Sequence, residues 1–133
     1  MIRTLNIRTR SRIEFQNVTR AVQEVVDSSH IQNGVCYLFV PHTTAAVVLN
    51  EQADPSVVED IAGQLEALVP QYGDYSHSEG NAPAHIKAAL LGNSEMVLVE
   101  EARLVLGTWQ GIFFCEFDGP RNRSLLVKIV QDA

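Results

Sequence analysis

The sequence predicts an α+β fold, with β-rich, sandwich-like sheets and about three helices in a single domain spanning residues 1–133. Three observations carry that expectation. Short apolar or alternating runs bounded by turn residues dominate both ends of the chain, which is strand patterning. Between them, three segments show helical spacing of apolar residues or helix punctuation. A chain of 133 residues with 46% hydrophobic and 20% charged side chains is long enough to bury one core without disulfides or a structural metal.

The elements follow in order. Residues 2–8 read as a strand. Glu14 to Asn17 lead into a helix with Asn17 as its N-cap, and Val18, Val22, Val25 and Val26 share one face of it. Asn33-Gly34 marks a turn. Val35 to Val40 is a continuous apolar run, read as a strand buried on both faces, and Ala45 to Leu49 is a second. Asp54-Pro55 opens another helix, with Asp as cap and Pro at the first helical position. Val57, Val58, Ile61, Leu65, Leu68 and Val69 keep its period until Pro70 stops it. Residues 71–81 are polar and aperiodic, a loop near the length at which loops become functional. Pro83 opens a short helix running through Leu91 and closed by Gly92. Strands follow at 95–100, 103–106, 110–117 and 124–130, and four in series imply antiparallel pairing.

The net charge of −6 argues against a nucleic-acid partner, which is usually met by a basic face. Arg3, Arg8, Arg10 and Arg12 are the basic cluster of note; they alternate with apolar residues and read as the solvent face of a strand. Cys36 and Cys115 lie in apolar runs and read as buried, reduced thiols. No signal-like segment opens the sequence and no apolar run approaches ~18 residues, so no membrane partner is expected and the cytoplasm is the expected location.

Unusual polar residues collect where strands and helices join. His42 follows Pro41 at the end of a strand, with Thr43 and Thr44 beside it; such a turn either satisfies its own backbone or presents three polar groups to a pocket. His77 and His85 bracket Ser78-Glu79-Gly80-Asn81. Gly80 permits a tight turn or a close approach to a ligand, and Asn81 suits a helix cap. The amides at that helix start favour an anion such as phosphate, whereas three neutral imidazoles, His42, His77 and His85, with a carboxylate can hold a divalent transition metal. Glu51, Glu79, Glu116 and Asp118 are the carboxylates in reach. Gly107-Thr108-Trp109-Gln110 interrupts two strands, and its Trp serves either as a core plug or as a stacking surface. Glu116 to Arg121 ends a strand in a turn from which Arg121 and Arg123 emerge, and a guanidinium fork suits phosphate oxygens. Lys87 reads as a surface residue.

Taken together, HTT (42–44), NE with ADP (50–55), H-EGNA-AH-KA-LLG (77–92) and RL-LGTWQGI-F-EFDGPR-R (103–123) resemble the YjbQ-like family of small bacterial and archaeal proteins, also called the secondary thiamine-phosphate synthase family. The resemblance implies an α+β sandwich-like fold, a homotrimer and a polar cleft holding His42, His77 and His85 with Glu51 and Arg121 and a divalent metal, zinc or magnesium. It implies a transferase of small phosphorylated metabolites that joins an aminopyrimidine diphosphate to a thiazole phosphate, expelling diphosphate as at least a side activity. Arg121 and a metal would take up the leaving group's charge, and Trp109 would wall the heterocycle. Thr43, Thr44, Gly80, Asn81, Thr108 and Gln110 would contact substrate or anion. Two rival expectations stand beside this one: a metal-dependent hydrolase of a phosphate or diphosphate ester, and a non-enzymatic trimeric ligand-binding module.

Overall fold

A computed structural model describes residues 1–133 and contains three helices and eight strands, bearing out the α+β expectation. In chain order these are β1 (Ile2–Arg8), β2 (Glu14–Asn17), α1 (Thr19–Ser29), β3 (Gly34–Phe39), β4 (Ala45–Glu51), α2 (Pro55–Leu68), α3 (Ala82–Leu91), β5 (Ser94–Glu100), β6 (Arg103–Leu104), β7 (Gln110–Glu116) and β8 (Asn122–Gln131). Five strands form one sheet in the order β1-β8-β3-β5-β6, and three form a second in the order β2-β7-β4. Every pairing is antiparallel.

Two cores separate the layers. The larger lies between the sheets and is closed by α1, whose Val22, Val25 and Val26 meet Cys36 and Leu38 of β3, Val47 of β4, Phe114 of β7 and Val127 of β8. The smaller lies on the other face of the three-stranded sheet, where Ala46, Phe113 and Cys115 pack on Leu65 of α2 and Ala84 and Ala88 of α3. The three-stranded sheet is thus covered on both faces, and its middle strand β7 is buried from Gly111 to Glu116. Burial pushes the Cys36 thiol up to about 12 and the Cys115 thiol upward as well, so both stay protonated and inert.

Several expectations change at the level of single elements. Glu14–Asn17 is a strand pairing with β7, not a helix approach. The turn before it is held by the Glu14 carboxylate, which accepts the amides of Arg10 and Ser11. Asn17 still marks the helix start, but through Thr19, whose amide and hydroxyl donate to its Oδ1 at 3.0 and 2.6 Å. The apolar run 35–40 is not buried on both faces. Cys36, Leu38 and Val40 point into the core, while Tyr37 and Phe39 remain about half exposed. The alternation is real, but apolar residues occupy both of its phases. Met96 and Leu98 of β5 and Val130 of β8 lie exposed on that same outer face. Lys87, expected at the surface, is 1% exposed and pairs with Glu66 of α2, which Arg12 also engages. A strand was expected over 103–106, but β6 is only two residues long. No helix is long and apolar enough to cross a membrane.

Candidate functional site

The joint between β3 and β4 carries His42, Thr43 and Thr44. The β3 ladder on β8 ends at the Phe39–Leu126 pair, leaving the Ser124 amide beyond it without a β3 carbonyl. His42 fills that place: its Nε2 accepts from the Ser124 amide at 2.9 Å. That bond requires an unprotonated Nε2, so the neutral ring carries its proton on Nδ1. Burial and the nearby Arg123 guanidinium lower the His42 pKa below the usual histidine value, against the pull of Glu116.

Beneath this joint lies a buried ion pair. Arg123 and Glu116 are 5% and 0% exposed at their side chains. The Glu116 carboxylate accepts from Arg123 Nε at 2.8 Å, again from Arg123 Nη2, from the Thr9 hydroxyl at 2.6 Å and from the Asp118 amide at 3.0 Å. Arg123 Nη2 also donates to Thr44 Oγ1 at 2.8 Å. Burial alone would raise the Glu116 pKa, but its donors outweigh burial and hold it below the ordinary carboxylate range. These contacts join the segments around residues 9, 44, 116 and 123 into one support. Gly119 is required there, since a Cβ would stand 2.2 Å from the Ser11 carbonyl oxygen and 2.9 Å from Thr9 Oγ1.

The turn after β7 and the start of α3 complete the site. Asn81 sits at the cap position of α3, yet its side chain does not cap the helix. Pro83 has no amide to offer, and the Ala84 amide donates to the Asn81 carbonyl. Freed from capping, Asn81 Nδ2 donates to Asp118 Oδ2 at 2.9 Å, while its Oδ1 is buried with no partner. Arg121 donates to the same Asp118 Oδ2 at 2.9 Å and to the Asp118 carbonyl at 2.8 Å. His85, in the second turn of α3, lies edge-on to His77 with ring centres 5.2 Å apart.

His42, Thr43, Glu79, His85, Asp118 and Arg121 all line one cavity of about 370 Å³ that has no hydrophobic lining residue. A neighbouring cavity of about 430 Å³ shares His42, Thr43 and His85 and continues past Ala88, Gly92 and Asn93. Three separate stretches of sequence, 41–44, 79–85 and 118–123, thus place two imidazoles, two carboxylates and the Arg121 guanidinium in one cleft above the buried Arg123. The set can bind an anion at Arg121 and move a proton through an imidazole or carboxylate.

The expected site divides in two. His42, Thr43, Thr44, Asn81, His85 and Arg121 meet at this cleft, and His77 joins through its packing on His85. Gly80, at φ +80°, makes the turn that leads into Asn81. Glu51, Thr108, Trp109 and Gln110 lie elsewhere. In the β4–β7 ladder Ala45 pairs with Glu116 and Glu51 with Gln110, so the cleft and the Trp109 turn sit at opposite ends of one sheet, roughly 20 Å apart at about 3.3 Å per residue. Glu51 there accepts the Asp54 amide and Gln110 the Gly107 amide, and Trp109 is 61% exposed. No three His, Cys, Asp or Glu side chains stand within metal-ligating reach of one another in this arrangement, and His42 Nε2 accepts from the Ser124 amide. Sequence reasoning left Asp118 and Glu79 as nearby carboxylates and gave Thr9 no role. Asp118 was legible as a carboxylate within a turn but without its partners, and Thr9 carried no signal at all.

A two-sheet α+β domain with a polar cleft at one end of its shorter sheet defines a class of small proteins rather than a chemistry. The chain belongs to the YjbQ-like UPF0047 protein family, whose pattern matches residues 3–132. It is 43% identical over 132 residues to a UPF0047 protein of Methanocaldococcus jannaschii, covering 99% of this chain and 96% of that one. It is likewise 43% identical over 131 residues to UPF0047 protein YugU of Bacillus subtilis, covering 98% and 99%. Among solved structures, an uncharacterised YjbQ/UPF0047 protein of Clostridium acetobutylicum superposes with a TM-score of 0.94 at 46% identity, covering 96% of this chain and 98% of that one. A YbjQ-like protein of unknown function from Sulfolobus solfataricus gives a TM-score of 0.95 at 36% identity, covering 99% and 97%.

Proposed function

We propose that the chain is an enzyme acting on a small phosphorylated metabolite in the His42–His85–Arg121 cleft, with thiamine-phosphate synthesis as an activity, even if a secondary one. The observation that carries this reading is the gathering of acid–base groups and a half-exposed guanidinium in a cavity with no hydrophobic lining residue. In the synthase reaction the carbon–oxygen bond of the aminopyrimidine diphosphate breaks and the electron pair leaves with diphosphate. The thiazole nitrogen supplies the pair for the new carbon–nitrogen bond. Charge collects on the leaving oxygens, and Arg121 is the group of this chain that meets it. The donors present do not fit a three-histidine metal centre, so the divalent cation in this proposal, zinc or magnesium, arrives with the diphosphate, as magnesium commonly does on substrate phosphates.

A homotrimer belongs to the same proposal. The exposed apolar face of Tyr37, Phe39, Met96 and Leu98 supports self-association. Glu51 and Trp109 do not reach the cleft of their own chain, so a role for either there requires a neighbouring copy.

Hydrolysis of a phosphate or diphosphate ester is the second reading. It is favoured by His85 and Glu79, because water must lose a proton to attack, whereas the synthase reaction needs no base. The test is growth without thiamine of a cell lacking its own synthase, carrying this gene or its Arg121→Ala version. Growth with the first and not the second is expected. No growth with either, with abundant folded protein, would sink the synthase reading. Phosphate release from candidate esters by the purified protein would then establish the hydrolase, and its absence would leave a ligand-binding module.

A further inference from the structure

Sharing Arg121 with the cleft is a second cavity of about 360 Å³ lined by Arg8, Thr9, Arg10, Pro120, Arg121 and Asn122, with no hydrophobic residue and no carboxylate among them. In a chain with a net charge of −6, three guanidinium groups around one acid-free hollow call for a reason. The alternation that made Arg8 and Arg10 look like the solvent face of a strand is kept: both are exposed, and Thr9 between them is buried. What the sequence did not reveal is that the β1–β8 pairing, which ends at Arg8 opposite Asn122, brings both arginines alongside Arg121.

The frame that presents these side chains is fixed. The Thr9 amide donates to the Arg121 carbonyl at 2.9 Å, and the Arg121 amide donates to the Thr9 hydroxyl at 2.9 Å. Gln16 Nε2 donates to the Arg8 carbonyl at 2.8 Å. The Glu14 carboxylate is occupied by the Arg10 and Ser11 amides, and its pKa is lowered, burial being outweighed by these bonds and by the Arg10 charge. Arg12, Arg20, Arg121 and Arg123 form ion pairs, whereas Arg8 and Arg10 form none. Arg121 uses Nε and Nη2 on Asp118, leaving Nη1 without a hydrogen bond. Guanidinium donors left over beside a fixed backbone suit phosphate oxygens, because the fork matches their geometry.

We infer that the Arg8–Arg10–Arg121 cavity is a phosphate subsite that takes the diphosphate, or a closely spaced pair of phosphoryl groups, of the substrate whose remainder lies in the adjacent cleft. The substrate class is therefore a small metabolite with at least two phosphate charges at one end. The inference rests on the reading of that cleft as a phosphometabolite site, and Arg121 is the group that both cavities share. The hollow's size and the acidity of the rest of the chain favour such a ligand over a nucleic-acid strand.

The test is calorimetric titration of the full chain with inorganic diphosphate at low ionic strength. It is repeated on Arg8→Gln/Arg10→Gln, on His85→Ala, and with inorganic phosphate as ligand. Both arginines are exposed, so the double variant should keep its thermal unfolding profile, and a circular-dichroism melt checks that it does. Expected results are diphosphate binding at least about tenfold tighter than phosphate, and at least about a tenfold loss in the double variant, the usual scale for charged hydrogen bonds. His85→Ala should change diphosphate affinity by less than about threefold, and added salt should weaken binding to the wild type more than to the double variant. Absence of diphosphate binding by the wild type, or an unchanged affinity in the folded double variant, would overturn the subsite. Catalytic failure reads out separately: diphosphate bound through Arg8 and Arg10, with no turnover of any phosphorylated metabolite, would keep the subsite and remove the enzyme reading.

Discussion

Replacing Glu116 by Gln tests the support beneath the cleft with almost no change of shape. Both Glu116 oxygens are acceptors only: one receives Thr9 Oγ1 and Arg123 Nε, the other Arg123 Nη2 and the Asp118 amide. An amide nitrogen in place of the second oxygen faces two donors; in place of the first it faces Arg123 Nε, while the Thr9 hydroxyl can turn to the Arg121 carbonyl 3.1 Å away. Arg123, 5% exposed at its side chain, also keeps a full charge with no carboxylate beside it. Breaking a buried pair from one side costs about 3–5 kcal/mol, which for a chain of this size corresponds to roughly 10–20 °C in Tm. Urea unfolding followed by circular dichroism measures the loss directly. Adding Arg123→Met, with Glu116→Leu in place of Gln, should recover part of it, since no charge is then stranded, although Thr9, Thr44 and the Asp118 amide lose partners worth about 1 kcal/mol each. A loss below about 1 kcal/mol for Glu116→Gln alone would refute the argument that this pair sustains the site.

Further expectations concern pH, the two other cationic residues and a turn. His42 and Glu116 both have folded pKa values below their ordinary values of 6.5 and 4.5. Each therefore contributes stability that is present above its ordinary value and lost as the pH falls through its folded value. Unfolding free energy measured against pH should decline in two steps on acidification, and His42→Gln should abolish the upper one. Lys87→Ala should destabilise by about 1–3 kcal/mol in the same urea assay, because it leaves a cavity and removes one of two cations from Glu66. Arg121→Ala, at a half-exposed position, should stay within about 1 kcal/mol of wild type while losing activity; the opposite ranking of these two variants would reverse their assigned roles. Ala102 has φ +63° in the β5–β6 turn, so Ala102→Gly should raise the melting temperature by relieving about 0.5–1 kcal/mol of backbone strain.

The sequence yielded the architecture wherever one phase of a pattern was apolar and the other polar. Val22, Val25 and Val26 located α1, and Asp54-Pro55 located the start of α2. Reading failed where both phases were apolar, as at Tyr37 and Phe39, since periodicity records which residues are hydrophobic and not which are covered. Lys87 failed for a related reason: a cation reads as surface until its carboxylate partner is known, and Glu66 lies a loop and a helix away. Within the site, His42, His85 and Arg121 stood out because polar residues at strand and helix ends are easily noticed. Their separation from Glu51 and Trp109 depended on strand register. The LGTWQGI and EFDGPR stretches flank one strand in the chain but sit at its two ends in space. Thr9 was invisible, because its importance comes wholly from Glu116, 107 positions away.

In each sheet one interior strand, β8 between β1 and β3 and β7 between β2 and β4, is made after the strands it joins. As the polypeptide is synthesised, β3, β5 and β6 can pair with one another, but β1, β2, β4 and the far edge of β3 wait without partners until these last two strands emerge. Thr9, His42 and Thr44 are translated early, yet each takes its final partner from residues 116–124. Time, rather than distance, is the cost of this layout: the nascent chain holds exposed apolar strands for most of its synthesis and closes both sheets and the cleft together at the end. Such dominance of long-range pairing makes folding slow for a chain of this length. It also places the period of greatest exposure to aggregation and proteolysis before the cleft exists.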